Sequence, residues 1–445
     1  MTSRRSRRRH PYRSLAWGVA GGYLIAASVY VAAMSLWFAA GHGHWSAGEA
    51  MLPRINDVVV FTFFAVCGGS VGSFLNVVVW RMPQGLGVNG HSYCPRCHHR
   101  LRARDNVPVF GWLWLRGRCR DCRLPISSRY PIVEAAVAIT FALVGTLELY
   151  GWNLPYRPYP FYGALAMPVV SPESIVVVGY HLVGLAIAWA MGLIRYDGHS
   201  MPARLVAFAS VWLIGGMMLI PSLAVVPWQL TMPEDWIDAM WVHSSVGWSE
   251  RGREHFRDAS VFVDVLVRIA TALVAAGFFA RVLARSFCPR ADLKSDPLGS
   301  QTRRMLDLVV MISVVAVIIG WQSVSGVLLL ASLLAVIVRR WFGPERTDVM
   351  GRFALMMPIA LATQILFWRP LMETRWWPSA PSLESASSRG VLLGFAIATL
   401  LIPLWLRENL WLRENPQDRV ERPEPDESGQ EIESEPAATR PDQVD

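Results

Sequence analysis

Residues 94–134 read CPRCHHRLRARDNVPVFGWLWLRGRCRDCRLPISSRYPIVE. Two Cys-x-x-Cys pairs, Cys94/Cys97 and Cys119/Cys122, have 21 residues between them. A tetrahedral Zn²⁺ takes four thiolates, and each Cys-x-x-Cys turn offers two of them to one ion. The spacing therefore predicts a small zinc-ribbon-like four-cysteine domain with Cys94, Cys97, Cys119 and Cys122 as ligands to a structural Zn²⁺. Two disulfides are the other use of the same thiols. The surrounding loop speaks for zinc: residues 81–130 carry ten arginines against two aspartates, Asp105 and Asp121. That bias keeps a loop in the cytoplasm, where thiols stay reduced. An apolar run begins at Pro131, so the module abuts a membrane helix.

The rest of the chain reads as membrane protein. Of its 445 residues, 53% are hydrophobic and only 17% charged, against about 25% charged in soluble domains; the mean hydropathy is +0.31. The fold class expected is an all-α polytopic membrane protein with about 8–10 transmembrane helices, each needing roughly 20 apolar residues. Spans are expected near residues 15–40, 58–80, 131–150, 174–194, 205–226, 261–282, 353–368 and 391–405. The apolar stretch 307–338 reads as two short helices broken at Gly320-Trp321-Gln322. The domain boundaries follow: 1–56, a basic start with an extra anchor and link; 57–80, a span; 81–130, the cytoplasmic four-cysteine domain; 131–340, a helical membrane domain; 341–406, the last spans; 407–445, a tail. That tail holds twelve acidic and five basic residues with five prolines and is expected to be disordered; the repeated LREN at 406–409 and 412–415 suggests a short amphipathic extension. Six arginines in residues 1–13 hold the N-terminus in the cytoplasm, and an even span count returns the C-terminus there. The loop 229–259 is expected outside. The net charge of +8 is mostly arginine at membrane ends, which is topology, not nucleic-acid binding.

Single residues add detail. Gly68, Gly69 and Gly72 would let a second helix approach closely. Asn76 reads as a cross-helix hydrogen bonder, Cys67 as packing, and Cys288 as a free thiol in a basic loop. Glu134 is expected at the lipid headgroups. His42 and His44 read as solvated loop residues.

The stretch GSFLNVVVWRMP at 72–83, the two Cys pairs, and NVPVFGWLWLRGRCRDCRLPISSRYPIVE at 106–134 resemble type IV prepilin peptidases, in register over residues 72–134. The likeness continues loosely through GWQ at 320–322 and PIALATQILFW at 358–368. Members of that family are membrane aspartic endopeptidases of the bacterial inner membrane. The resemblance implies prepilin or pseudopilin substrates, cleavage of a basic leader at the cytoplasmic face, pilus or secretion assembly proteins as partners, and S-adenosylmethionine for N-methylation. It also implies two catalytic aspartates at the cytoplasmic ends of two helices, one acting as base on water and the other donating to the scissile carbonyl.

The aspartate motifs depart from the family pattern. The first, D-x-D-x-x-x-I-P-D, falls on Arg195-Tyr196-Asp197-Gly198-His199-Ser200-Met201-Pro202-Ala203, so Arg195 stands at the first aspartate and Asp197 at the second. The second, G-x-G-D, falls on Arg304-Met305-Leu306-Asp307, 13 residues before Gly320; Ala291-Asp292-Leu293-Lys294 is its competitor. Asp197 and Asp307 are therefore the catalytic candidates, with Asp292 as the substitute for Asp307. Arg304 and Leu306 replace both motif glycines. Three readings stay open: an active peptidase, a catalytically impaired homologue that binds pilins or scaffolds assembly, and a zinc-ribbon membrane adaptor.

Overall fold

The structure is a computed structural model and describes residues 11–41, 46–94, 96–155, 166–168, 170–230, 259–338, 348–380 and 389–406. The first ten residues, His42 and His44, most of the loop 229–259, and the acidic tail lie outside the described residues.

The described chain is helical. In order it forms α1 (Pro11–Gly41), α2 (Ala47–Arg81), a one-and-a-half-turn α3 (Phe110–Leu115), α4 (Arg129–Leu149), α5 (Pro172–Tyr196) and α6 (Ala203–Leu219). Then come α7 (Ala259–Phe287), α8 (Ser300–Ile319), α9 (Val324–Val338), α10 (Val349–Leu366), α11 (Trp368–Glu373) and α12 (Arg389–Trp405). Among the described residues there are no strands, only the isolated bridges Tyr93–Arg100 and Arg118–Pro125. Among the described residues, seven helices are long and apolar enough to cross a membrane: α1, α2, α4, α5, α7, α10, and α9 with its preceding turn. Two further apolar helices, Ala203–Leu219 and Arg389–Ile402, are shorter. The helix α8 carries Arg303, Arg304 and Asp307 in its first turns. The break expected at Gly320 is present. Its φ of 81° is a left-handed value that glycine tolerates, and a 3-10 turn over Trp321–Ser323 leads into α9.

Local chemistry sets several ends. Ser46 and Glu49 form a capping box at the start of α2. Ser171 caps α5, with Pro172 at its first position. The span expected to reach Val226 stops at Leu219, because Pro221 cannot continue the helix and opens a 3-10 turn instead. The buried Arg268 of α7 donates to the carbonyls of Val317 (2.9 Å) and Ile318 (3.2 Å), which lack helical partners at the end of α8.

Close approach holds α2 against α4. A Cβ on Gly68 would stand 2.6 Å from Phe141 Cβ, and one on Gly72 2.8 Å from Glu134 Cα. These glycines therefore permit the helix contact expected of them. Asn76 bonds across to the Tyr130 carbonyl at 3.4 Å. At the far end of the pair, Asp57 of α2 accepts from Tyr30 of α1 at 2.7 Å and from Tyr150, and Arg54 stands 3.2 Å from it. The extra N-terminal helix is pinned to the bundle by that carboxylate.

Glu134, in the first turns of α4, is buried, its carboxylate turned inward to the loop before α3. One expectation changes. Cys288 is a free thiol but buried, because α7 runs on to Phe287, whose ring packs 5.4 Å from Phe353 of α10.

Candidate functional site

The four-cysteine domain is built from two copies of one turn. In the first, Cys94 N–H donates to the His99 carbonyl (3.0 Å) and His98 N–H to the Cys94 carbonyl (2.9 Å). In the second, Cys119 N–H donates to Leu124 (2.9 Å) and Arg123 N–H to Cys119 (3.1 Å). Each turn closes on a left-handed residue, His98 (φ 57°) or Arg123 (φ 61°). The four sulfurs lie within 4.8 Å of one another. The Cys94–Cys122 and Cys97–Cys119 pairs are each 3.9 Å apart. A tetrahedron with Zn–S bonds of about 2.3 Å has edges of roughly 3.8 Å, so this donor set fits one zinc ion and can hold a metal.

The thiols act on one another's protonation. Burial alone would raise Cys94, but the N–H groups of Cys97 and Arg96 and the neighbouring thiols outweigh it and bring it to about 7. The Leu124 N–H lowers Cys122, but burial and the sulfurs of Cys119, Cys97 and Cys94 push it up to about 11. Four thiolates cannot coexist without a positive ion between them.

The loop between the turns is fastened twice. Arg120 grips the Asp105 carboxylate with two N–H groups, the Nε bond being 2.8 Å. That hydrogen bond holds the Asp105 carboxyl below the ordinary carboxylate range. Val109 sits at φ 62°, ψ −53°, with Phe110 N–H donating to Pro108 O at 2.6 Å. This is a strained three-residue turn for a β-branched side chain. Glu134 of α4 stabilises it by accepting the Val109 N–H at 2.6 Å.

The predicted aspartates lie on the membrane face that carries the four-cysteine domain. Asp197 follows the last turn of α5 and takes a two-pronged ion pair from Arg129, the first residue of α4, at 2.5 and 2.8 Å. Asp307, buried in α8, accepts the Met201 N–H at 3.0 Å through Oδ1, while its Oδ2 has no hydrogen-bond partner. The two aspartates thus border the same short turn, 197–202. No hydrogen bond joins their carboxylates among the described residues. Asp292 instead folds onto its own loop, accepting from Lys294 N–H (2.8 Å) and Ser295 N–H (3.3 Å).

Arg195 points inward. It donates to the His199 carbonyl (3.3 Å) and to Asp348 (2.8 Å). Arg304 reaches the same Asp348 oxygen. Asp348 is not among the residues that the sequence singles out. Its local signal is only that of a helix cap before an apolar run, and it does accept the Gly351 N–H at 2.7 Å. Its two arginines are 153 and 44 residues away in the chain, which no local pattern reveals.

Comparison with known proteins places the domain. Residues 66–147 match the family model described as Bacterial Peptidase A24 N-terminal domain. A prepilin leader peptidase/N-methyltransferase of Myxococcus xanthus (strain DK1622) is 39% identical over 154 residues, covering 33% of this chain and 45% of the relative. A type 4 prepilin-like proteins leader peptide-processing enzyme of Escherichia coli O78:H11 (strain H10407 / ETEC) is 41% identical over 111 residues, 20% of this chain and 41% of the relative. A prepilin leader peptidase/N-methyltransferase of Klebsiella pneumoniae is 43% identical over 108 residues, 22% and 47% respectively. The chain spans less than half the length of these curated relatives. No solved structure matches it. Together with the apolar helices, these matches indicate a bacterial inner-membrane protein. Residues 66–147, with their glycine-packed helix pair and four-cysteine cluster, are thus similar to the N-terminal domain of bacterial peptidase A24 proteins and to part of the prepilin leader peptidases named above.

Proposed function

We propose that this chain processes the leader peptides of prepilins or pseudopilins as an aspartic endopeptidase at the cytoplasmic membrane face. The observation that carries the reading is the turn 197–202, bordered by Asp197, which follows α5, and by Asp307 on α8. Asp307 has one oxygen anchored by Met201 and one free. Burial favours the protonated form of this carboxyl, which donates a hydrogen bond to the scissile carbonyl. Asp197, the carboxylate paired with Arg129, takes a proton from water as the water attacks that carbonyl. The proton then held by Asp197 passes to the leaving amine. The four-cysteine domain orders the loop above the turn through Arg129 and Glu134.

The relatives' names also suggest N-methylation with S-adenosylmethionine. No strand among the described residues carries a glycine-rich loop for that group, so no residue is assigned to it and no step is drawn through it.

A specific observation favours a second reading. Arg195 and Arg304 occupy positions where the family motifs carry an aspartate and a glycine, and both are tied to Asp348. Such a site binds leader peptides without cutting them. Co-expression with a prepilin in cells lacking their own peptidase separates the two. The peptidase reading expects the shortened pilin, lost in Asp197→Ala and in Asp307→Ala. No cleavage by the intact chain, with prepilin retained on it during purification, assigns the binding role. Cleavage that survives both substitutions removes the aspartate pair.

A further inference from the structure

The four-cysteine domain contains a cavity that the peptidase reading does not use. It measures about 820 Å³ and is lined by Arg104, Arg116, Arg118, Arg120 and Arg123, with Asp105 as its acidic residue. Ligand pockets run from about 300 to 1,000 Å³, so the space suits a headgroup-sized ligand. Asp105 is committed to Arg120. Among the described residues, Arg104, Arg116, Arg118 and Arg123 have no ion-pair partner. Four uncompensated guanidinium groups around one space repel one another until an anion joins them. Arg116 also holds a left-handed conformation (φ 60°, ψ 36°) at the end of α3. Glycine is the residue that adopts this conformation without cost.

A second observation concerns the rim. Val107, Phe110 and Trp114 line the cavity and are exposed. Trp114, 46% exposed, lies with its ring 5.9 Å from that of Trp17, 67% exposed. Trp17 sits in the first turns of α1, a span whose following residues Leu24, Ile25 and Val29 are also exposed. Tryptophans at the end of a span mark the level of the lipid headgroups. The arginine cavity therefore opens at the bilayer interface, with apolar surface continuing from its rim along α1 into the hydrocarbon. A soluble anion would need the arginines but not this edge.

We propose that the cavity binds the phosphate headgroup of an anionic phospholipid, with Arg104, Arg116, Arg118 and Arg123 as its donors and the acyl chains lying against Trp17, Trp114 and α1. Bound lipid would tie the four-cysteine domain, the added N-terminal helix and the bilayer together. The site is independent of Asp197 and Asp307, so the outcome of the cleavage assay does not decide it.

The test uses the full chain, purified in an uncharged detergent and stripped of lipid. It is mixed with equal amounts of phosphatidylglycerol and phosphatidylcholine bearing the same acyl chains, re-isolated by gel filtration, and its retained lipid measured by mass spectrometry. Phosphatidylglycerol should be retained in preference by about tenfold. Each interfacial arginine is worth up to about fivefold, so Arg104→Gln with Arg116→Gln should erase most of that preference while the protein keeps its zinc. Equal retention of the two lipids, or unchanged retention in the zinc-bound variant, overturns the proposal. If the arginine variant loses zinc, Trp17→Ala with Trp114→Ala decides instead: reduced phosphatidylglycerol retention supports the site and unchanged retention removes it. Millimolar inorganic phosphate or glycerol phosphate should leave the lipid in place; displacement by either assigns the cavity to a free phosphate and ends the lipid reading.

Discussion

Arg195 of α5 and Asp348, the capping residue of α10, are joined by a 2.8 Å ion pair at the membrane face that carries the four-cysteine domain. Arg304 of α8 shares the same carboxylate oxygen. Three helices far apart in the chain are thus closed by one acidic side chain. Asp348→Asn would leave two guanidinium groups, one of them buried, without their counter-charge. Removing one partner of a buried pair costs about 3–5 kcal/mol. The substitution should lower the thermal midpoint in detergent clearly, and the double variant Asp348→Asn with Arg195→Met should recover part of the loss. Equal losses in the single and double variants would mean that the pair is not what holds these ends.

The four-cysteine centre makes a compositional prediction. Purified protein should contain about one zinc per chain. Cys94→Ser or Cys119→Ser should abolish it and expose the 94–129 loop to protease, whereas Cys67→Ser and Cys288→Ser should retain it. Because the ligands bind as thiolates, loading with metal should release protons and weaken as the pH falls. Metal-free protein with a protease-resistant loop contradicts this account.

Asp105 supplies a pH dependence of known sign. Its carboxyl is held below the ordinary range by Arg120, so the unfolded loop binds a proton more readily than the folded one. The stabilisation is complete above the unfolded pKa of about 3.9 and is lost as pH falls through the lower folded value. Asp105→Asn should therefore weaken the loop by about 1 kcal/mol at neutral pH and flatten its acid sensitivity. Hydrogen exchange of the 103–120 backbone amides at pH 7 and at about pH 2.5, below the ordinary carboxylate range, reads both effects.

The α2–α4 contact predicts a strong effect from one methyl group. A Cβ at Gly68 or Gly72 meets the backbone of α4, including Val137 O at 2.8 Å and Glu134 Cα at 2.8 Å, and backbone cannot swing aside. Gly68→Ala and Gly72→Ala should each destabilise by about 1–3 kcal/mol. Gly21→Ala on the open face of α1, where nothing lies within 4 Å, should change little. The same measurement in detergent compares all three.

The cysteine spacing, the runs of apolar length, the glycines of α2 and the proline and glycine stops carry their physics locally. Two Cys-x-x-Cys turns can only converge on one site if they fold as knuckles, and a glycine at 68 or 72 leaves the same gap wherever its helix goes. Those features determined the four-cysteine cluster, the helical membrane class and the α2 packing face from sequence alone. Partnership between charges is different, because a guanidinium reaches whichever carboxylate the fold brings near. The chain order sets Arg195 two residues from Asp197, yet opposite sides of a helix end send the first to Asp348 and the second to Arg129. Glu134 turned inward to a strained turn, and Cys288 became buried, for the same reason. Electrostatic pairing acts through space over a few ångströms, so only the tertiary structure decided which arginine faces which aspartate, and where five arginines surround a cavity.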